Sequence, residues 1–256
     1  MSDTPPVVEF KDVAIDRGGT TVWSHGTFSI PAGSVVAVIG PNGSGKTTLL
    51  HLLLGLLSPT AGRVRVLGDT PHRGDRRLGY VPQHHLGSVG GALRCRDLVA
   101  LGLVGNRWGL GRLHPTGREA IECALRSVDA SDFAGERVSA VSGGQQQRIA
   151  IAQALVHDPE LLLLDEPLAN LDLRHQEEMV GLLRDLAVAG DRTILVVTHD
   201  LNSLLPILTG AVYLLDGHAH YDEIGNVVDG ELLSHLYGTS VRVVRTPQGD
   251  LFTRST

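Results

Sequence analysis

"SVVAVIGPNGSGKTTLLHLLLGLL", residues 34–57, decides the fold. Its first part, Val35 to Ile39, is a short unbroken apolar run, the pattern of a strand buried on both faces. A glycine-rich turn follows, and then a helical pattern that "SPTAG", residues 58–62, brings to a stop. The turn itself, "GPNGSGKT", residues 40–47, fits G-x-x-x-x-G-K-[ST] at every position. A strand, such a loop and a helix start place converging backbone N–H groups where an anion is held. Gly40, Pro41, Asn42, Gly43, Ser44, Gly45, Lys46, Thr47 and Thr48 are therefore expected to cradle the phosphates of a nucleotide. Lys46 is expected to reach the terminal phosphates, and the Thr47 hydroxyl to ligate Mg²⁺. Lys11 and Lys46 are the only lysines in an arginine-rich chain, which fits a need for a compact point charge in the loop.

Outward from this stretch, strand and helix patterns alternate. "VVEFKDVAI" reads as a strand suited to a sheet edge, and "TTVWSHGTFSI" as a second. "RVRVLG" and "RLGYVPQ" read as strands, the latter ending at Pro82. "LLLLDEP", residues 161–167, and "TILVVTHD", residues 193–200, are buried-strand runs that flank a helix around "LRHQEEMVGLLRDLA". The order predicts an α/β fold with a mainly parallel sheet. Residues 84–140 change character, with short helical pieces between glycine-rich turns. From about residue 226 a tail holds a short helix, "GELLSHLY", and a hairpin around "PQGD".

Chemistry gathers at strand ends. Asp165 ends a run of four leucines and suits a Mg²⁺ contact at the carboxyl edge of the sheet. Glu166, one residue on, is placed to polarise an attacking water. His199 ends the next strand and is expected at the terminal phosphate, and Gln83 offers an amide to Mg²⁺ or water. A second anion cradle lies about a hundred residues after the first. In "AVSGGQQQRIAIAQAL", residues 140–155, Ser142, Gly143, Gly144 and Gln145 open a helical pattern.

Composition narrows the function classes. The net charge of −6 over 256 residues gives no global electrostatic reason to bind nucleic acid. "MSDTPPVVEF" has neither a basic nor an apolar leader segment, so no secretory signal is expected. "LLHLLLGLL" is too short for a membrane span. Cys95 and Cys123 make no metal or disulfide pattern, and His84, His85, His218 and His220 lack the ligand spacing of a metal site. Between His72 and Arg118 stand eight arginines and two aspartates, either a solvated face or one drawn to an anionic membrane surface.

Taken together the motifs resemble the ATP-binding subunit of ABC transporters over essentially the whole chain. The phosphate loop, the glutamine in "VPQ", "VSGGQ" (Val141 standing where leucine is usual), "LLLLDE", "ANLD" and "THD" come in that family's order. The resemblance implies a P-loop ATPase core across residues 1–225, with an antiparallel β subdomain and a helical subdomain inserted at about 84–150. Residues 226–256 would form a small C-terminal extension. It implies ATP and Mg²⁺ as cofactors, with Glu166, His199 and Lys46 catalytic and Thr47, Gln83 and Asp165 around the metal. It implies a homodimer in which Ser142, Gly143, Gly144, Gln145 and Asp172 of one copy meet the ATP on the other. The partners it implies are a membrane permease and, indirectly, an extracytoplasmic binding protein, with a location on the inner face of the membrane. Import of metal ions or metal chelates is suggested by similarity in "LVALG", "HDLNSLLPI" and the tail. An exporter ATPase, or a soluble ATPase of translation or DNA repair, is the alternative. One departure stands out. Where relatives carry an aromatic residue that stacks on adenine, this chain has Arg17, with Trp23 close behind.

Overall fold

The computed structural model describes residues 5–83, 91–104, 114–245 and 251–255. Nine strands make one sheet in the order β4-β1-β2-β9-β8-β3-β7-β6-β5. The strands are β1 (Val8–Arg17), β2 (Thr20–Ile30), β3 (Val35–Ile39), β4 (Ala61–Val66), β5 (Leu78–Val81), β6 (Leu161–Asp165), β7 (Thr193–Val197), β8 (Gly210–Leu215) and β9 (His218–Glu223). β3 pairs in parallel with β7 and β8, and β6 in parallel with β5 and β7. β1 pairs antiparallel with β2 and β4, forming the antiparallel part. β1 is therefore interior and not the edge strand its loose alternation suggests. β4 returns to cover its outer side and takes the edge itself.

The unbroken apolar runs are explained by the two cores they divide. Val35, Ala37 and Ile39 of β3 face one cluster with Leu162 and Leu164 of β6. Val36 and Val38 face the other with Leu161 and Leu163. A strand covered on both sides needs apolar residues at every position, so alternation disappears. The second face is covered by helix α1 (Lys46–Leu53), whose Leu49, Leu50, Leu52 and Leu53 are buried. The first is covered by α4 (Gly143–Leu155) and α5 (Leu173–Gly190).

Between β5 and β6 lie α2 (Cys95–Val104) and α3 (Pro115–Ser127), which pack on α4. A short helix α6 (Ile224–Val227) and helix α7 (Gly230–Tyr237) follow β9. Asp229 caps α7 by accepting from the N–H groups of Glu231 and Leu232. Leu233 and Leu236 join the same cluster as Leu201 and Leu204, so the tail seats on the main body. β10 (Val241–Arg245) and β11 (Leu251–Ser255) form the expected hairpin, though its turn, like His84 and His85, lies outside the described residues. The β8–β9 hairpin escaped the sequence reading. Asp216 and Gly217 turn it with φ of 51° and 74°, the Asp-Gly signal of a tight hairpin.

Candidate functional site

The phosphate loop spans the end of β3 and the start of α1, at the carboxyl edge of the sheet. Its backbone needs glycine. Gly45 has φ +96°, and a Cβ there would lie 2.5 Å from Val22 Cγ1. Gly40, at φ +154°, would meet the Leu214 carbonyl oxygen at 2.7 Å. Gly43 faces open space, but its φ of +81° also favours glycine. Lys46 Nζ donates to the carbonyl oxygens of Gly40 and Pro41, at 2.8 and 2.9 Å. Burial pulls its ammonium below the ordinary lysine value, while Glu166 and Asp165 act to hold the charge. A half-buried cation whose partners are neutral carbonyls suits an incoming phosphate. Thr47 is exposed at the loop and Thr48 is buried, so only the former presents its hydroxyl to solvent.

Across the sheet edge stand the polar residues that the motifs predict. Asp165 ends β6 and is buried. Glu166 follows in left-handed backbone, φ +51°, its N–H donating to the Val197 carbonyl at 3.0 Å. That twist turns the side chain away from the strand direction. Its Oε2 accepts from Gln83 Nε2 at 2.8 Å and lies 3.8 Å from His199 Nδ1. These three residues, from the ends of β5, β6 and β7, converge on one cleft of about 360 Å³ with Asn170 and Thr198. Thr198 braces the histidine segment by donating to the Asp200 carbonyl at 2.7 Å and accepting from the Asp200 N–H at 3.1 Å. The arrangement can hold a polyphosphate, bind a hard cation through oxygen donors and orient a water. The residues present fit ATP and Mg²⁺.

The segment expected to form a second cradle is a capped helix start. Ser142 caps α4, accepting from Gln145 N at 3.3 Å, while Gln145 Oε1 accepts from Ser142 N at 2.9 Å. Ser142 and Gly143 are exposed, and no neighbour would touch a Cβ on Gly143. Beside them, a Cβ on Gly144 would lie 3.1 Å from His175. His175 bonds to Asp172 through both its backbone N–H (2.9 Å) and Nδ1 (2.8 Å). These bonds pull the Asp172 carboxyl below its usual value. Residues 142–145 and Asp172 thus share one surface, and no hydrogen bond among the described residues joins 142–145 to residues 40–48.

Arg17 lies exposed at the tip of the β1–β2 hairpin, paired with Thr20. The cleft of about 260 Å³ beside the phosphate loop is lined instead by Val22, Trp23 and the β8–β9 turn, including His218. Trp23 is fully buried, its ring 6.0 Å from Phe10. His218 and His220 lie 6.2 Å apart, and among the described residues no group of three or more His, Cys, Asp or Glu is arranged for a metal. Cys95 is buried and Cys123 exposed. Sequence reading missed the Gln83–Glu166 bond and the role of the β8–β9 turn in walling the loop. The Asp-Gly pair was the only signal for the latter.

The ABC transporter family profile matches residues 24–169. A cobalamin import ATP-binding protein of Halobacterium salinarum is 36% identical over 80% of this chain, and the match spans only about half (52%) of that relative. A metal transport system ATP-binding protein of Chlamydia trachomatis is 38% identical over 73% of this chain and 78% of its own length. In structure, an inward-facing metal-chelate type ABC transporter superposes with a TM-score of 0.84, at 27% identity, over 98% of this chain and 97% of the other. Among the described residues no helix is long and apolar enough to cross a membrane.

Proposed function

The chain belongs to the ABC transporter family of ATP-binding domains, and from that premise we propose that it is the ATP-hydrolysing subunit of an ABC import system. One observation carries the reading. Gln83, Glu166 and His199, from three separate strand ends, meet in a single cleft at the sheet edge that also bears the Lys46 loop. Bound Mg²⁺ would supply neutralisation of the charge that develops between the terminal phosphates. Thr47, Gln83 and Asp165 are the residues to hold it.

The remaining work falls to the chain's own groups. Lys46 leaves the Gly40 and Pro41 carbonyls for phosphate oxygens. Glu166 accepts a proton from the attacking water, and His199 steadies the terminal phosphate beside it. Ser142, Gly143, Gly144 and Gln145 close over the nucleotide of a second copy, with Asp172 alongside. That head-to-tail dimer gives a role to the exposed start of α4, which makes no hydrogen bond to its own phosphate loop among the described residues. The dimer forms when the triphosphate bridges the two surfaces and relaxes after hydrolysis. Through a membrane permease, and indirectly an extracytoplasmic binding protein, this cycle drives uptake at the inner face of the membrane. The cargo we propose is a metal ion or metal chelate, which the relatives' names for cobalamin, metal and metal-chelate transport support.

Mg²⁺-dependent ATP hydrolysis by the purified chain, abolished in Lys46→Ala, tests the enzymatic part. Lowered cellular manganese, zinc or iron in a deletion strain tests the cargo. Unchanged metal content would remove the cargo and leave the ATPase.

A further inference from the structure

Trp23 sits directly beneath the phosphate loop. It is fully buried in β2, and its indole Nε1 has no hydrogen-bond partner among the described residues. A Cβ on Gly45 would lie 3.0 Å from both Cδ1 and Nε1, so the loop backbone rests on this ring. An indole N–H is a donor only, and a buried one is nearly always paired. A leucine or phenylalanine would fill the same apolar space without stranding a donor. One residue before Gly45, the Ser44 hydroxyl is also buried and also lacks a partner. Both residues line the same cleft. An unpaired donor and an unpaired hydroxyl able to accept thus lie at one glycine, in a loop where Lys46 bonds to the Gly40 and Pro41 carbonyls and the Ser44 N–H donates to Pro41.

We infer that Trp23 is a positioning residue for the phosphate loop: once a bound nucleotide draws Lys46 off these carbonyls, the loop settles so that the Trp23 indole N–H donates to Ser44 Oγ. The inference rests on the ATP-binding reading. It makes the antiparallel part of the sheet a rest for the loop, so that ordering the phosphates also pins β2.

The test is titration of ¹⁵N-labelled protein with MgADP, following the indole N–H resonances. The chain has two tryptophans, Trp23 and Trp108. The Trp23 resonance is identified by its loss in Trp23→Phe and its persistence in Trp108→Phe. Expected are a shift of that resonance on saturation and a slowing of its hydrogen exchange by about tenfold. At saturating MgADP the shift is lost in Ser44→Ala. Trp23→Phe binds MgADP about threefold to tenfold more weakly. A Trp23 resonance that stays fixed while calorimetry shows MgADP bound, or that moves equally in Ser44→Ala, overturns the inference and leaves ATP binding intact. Absence of any calorimetric binding overturns both.

Discussion

Glu166 occupies left-handed backbone, φ +51°, a conformation that costs a residue with a Cβ about 1–2 kcal/mol. What the strain achieves is direction: the carboxylate is turned from the line of β6 towards Gln83 and His199. Replacing only its basicity separates binding from chemistry. Glu166→Gln is expected to keep nucleotide affinity while hydrolysis falls by about a hundredfold or more, measured by calorimetry and phosphate release. Near-normal turnover would assign the water to another group. Arg17 offers the second residue-level test. A guanidinium is flat enough to stack on a base but is well solvated, and here it stands exposed. Phosphate contacts then carry most of the affinity, so GTP should bind within about tenfold of ATP. Arg17→Tyr should tighten ATP by about 0.5–1.5 kcal/mol. Strong ATP preference with no gain from the tyrosine would mean that another group holds the base.

At the scale of elements, β6 shows why the fold was readable. Leu161 and Leu163 face one core, Leu162 and Leu164 the other, so burial on both sides writes itself as an unbroken run. Leu163→Ala should lower unfolding free energy by about 2–5 kcal/mol in urea titrations. The connection from β4 to β5 has a different basis. Asp75 accepts from Arg77 through its backbone N–H at 3.0 Å and its Nη2 at 2.7 Å. These bonds hold the Asp75 carboxyl below its usual 3.8. A lowered folded value means that the ionised carboxylate stabilises the fold above the unfolded value. That contribution is lost as pH falls through the folded one. Asp75→Asn should therefore cost about 0.5–1 kcal/mol near pH 6 and nothing once the Asp75 carboxyl is protonated in both the folded and the unfolded chain. Stability curves of wild type and variant that stay parallel down to pH 2 would contradict it.

The same contrast marks what the sequence could and could not disclose. Lys46, Asp165, Glu166 and His199 were legible because their chemistry requires fixed places at a loop or strand end. The bond from Gln83 to Glu166 crosses 83 positions. It depends on β5 and β6 being neighbours, which no local pattern states. β1 was misplaced at an edge because a strand covered by its own antiparallel neighbours still alternates. Trp23 looked like any core aromatic, since only the folded chain brings its N–H under Gly45.

On the scale of the whole molecule, the phosphate loop and the α4 start at Ser142 share no hydrogen bond among the described residues. The Lys46 loop and the cleft of Glu166 lie at the sheet edge, while Ser142 and Gly143 open outward at the start of α4 beside Asp172. The tail helix α7 closes onto the first core without covering either cradle's exposed residues. In the head-to-tail dimer we propose, a second copy completes this surface. The most direct measurement mixes two defective chains, Lys46→Ala and Ser142→Arg, and follows ATP hydrolysis in the mixture. In the heterodimer the intact loop of the Ser142→Arg chain faces the intact Ser142 of the Lys46→Ala chain, restoring one full site. Recovery of ATP hydrolysis in the mixture, absent from either variant alone, is the expected result. Hydrolysis that only averages the two parents would show that each site is built within one chain, and would contradict the head-to-tail dimer.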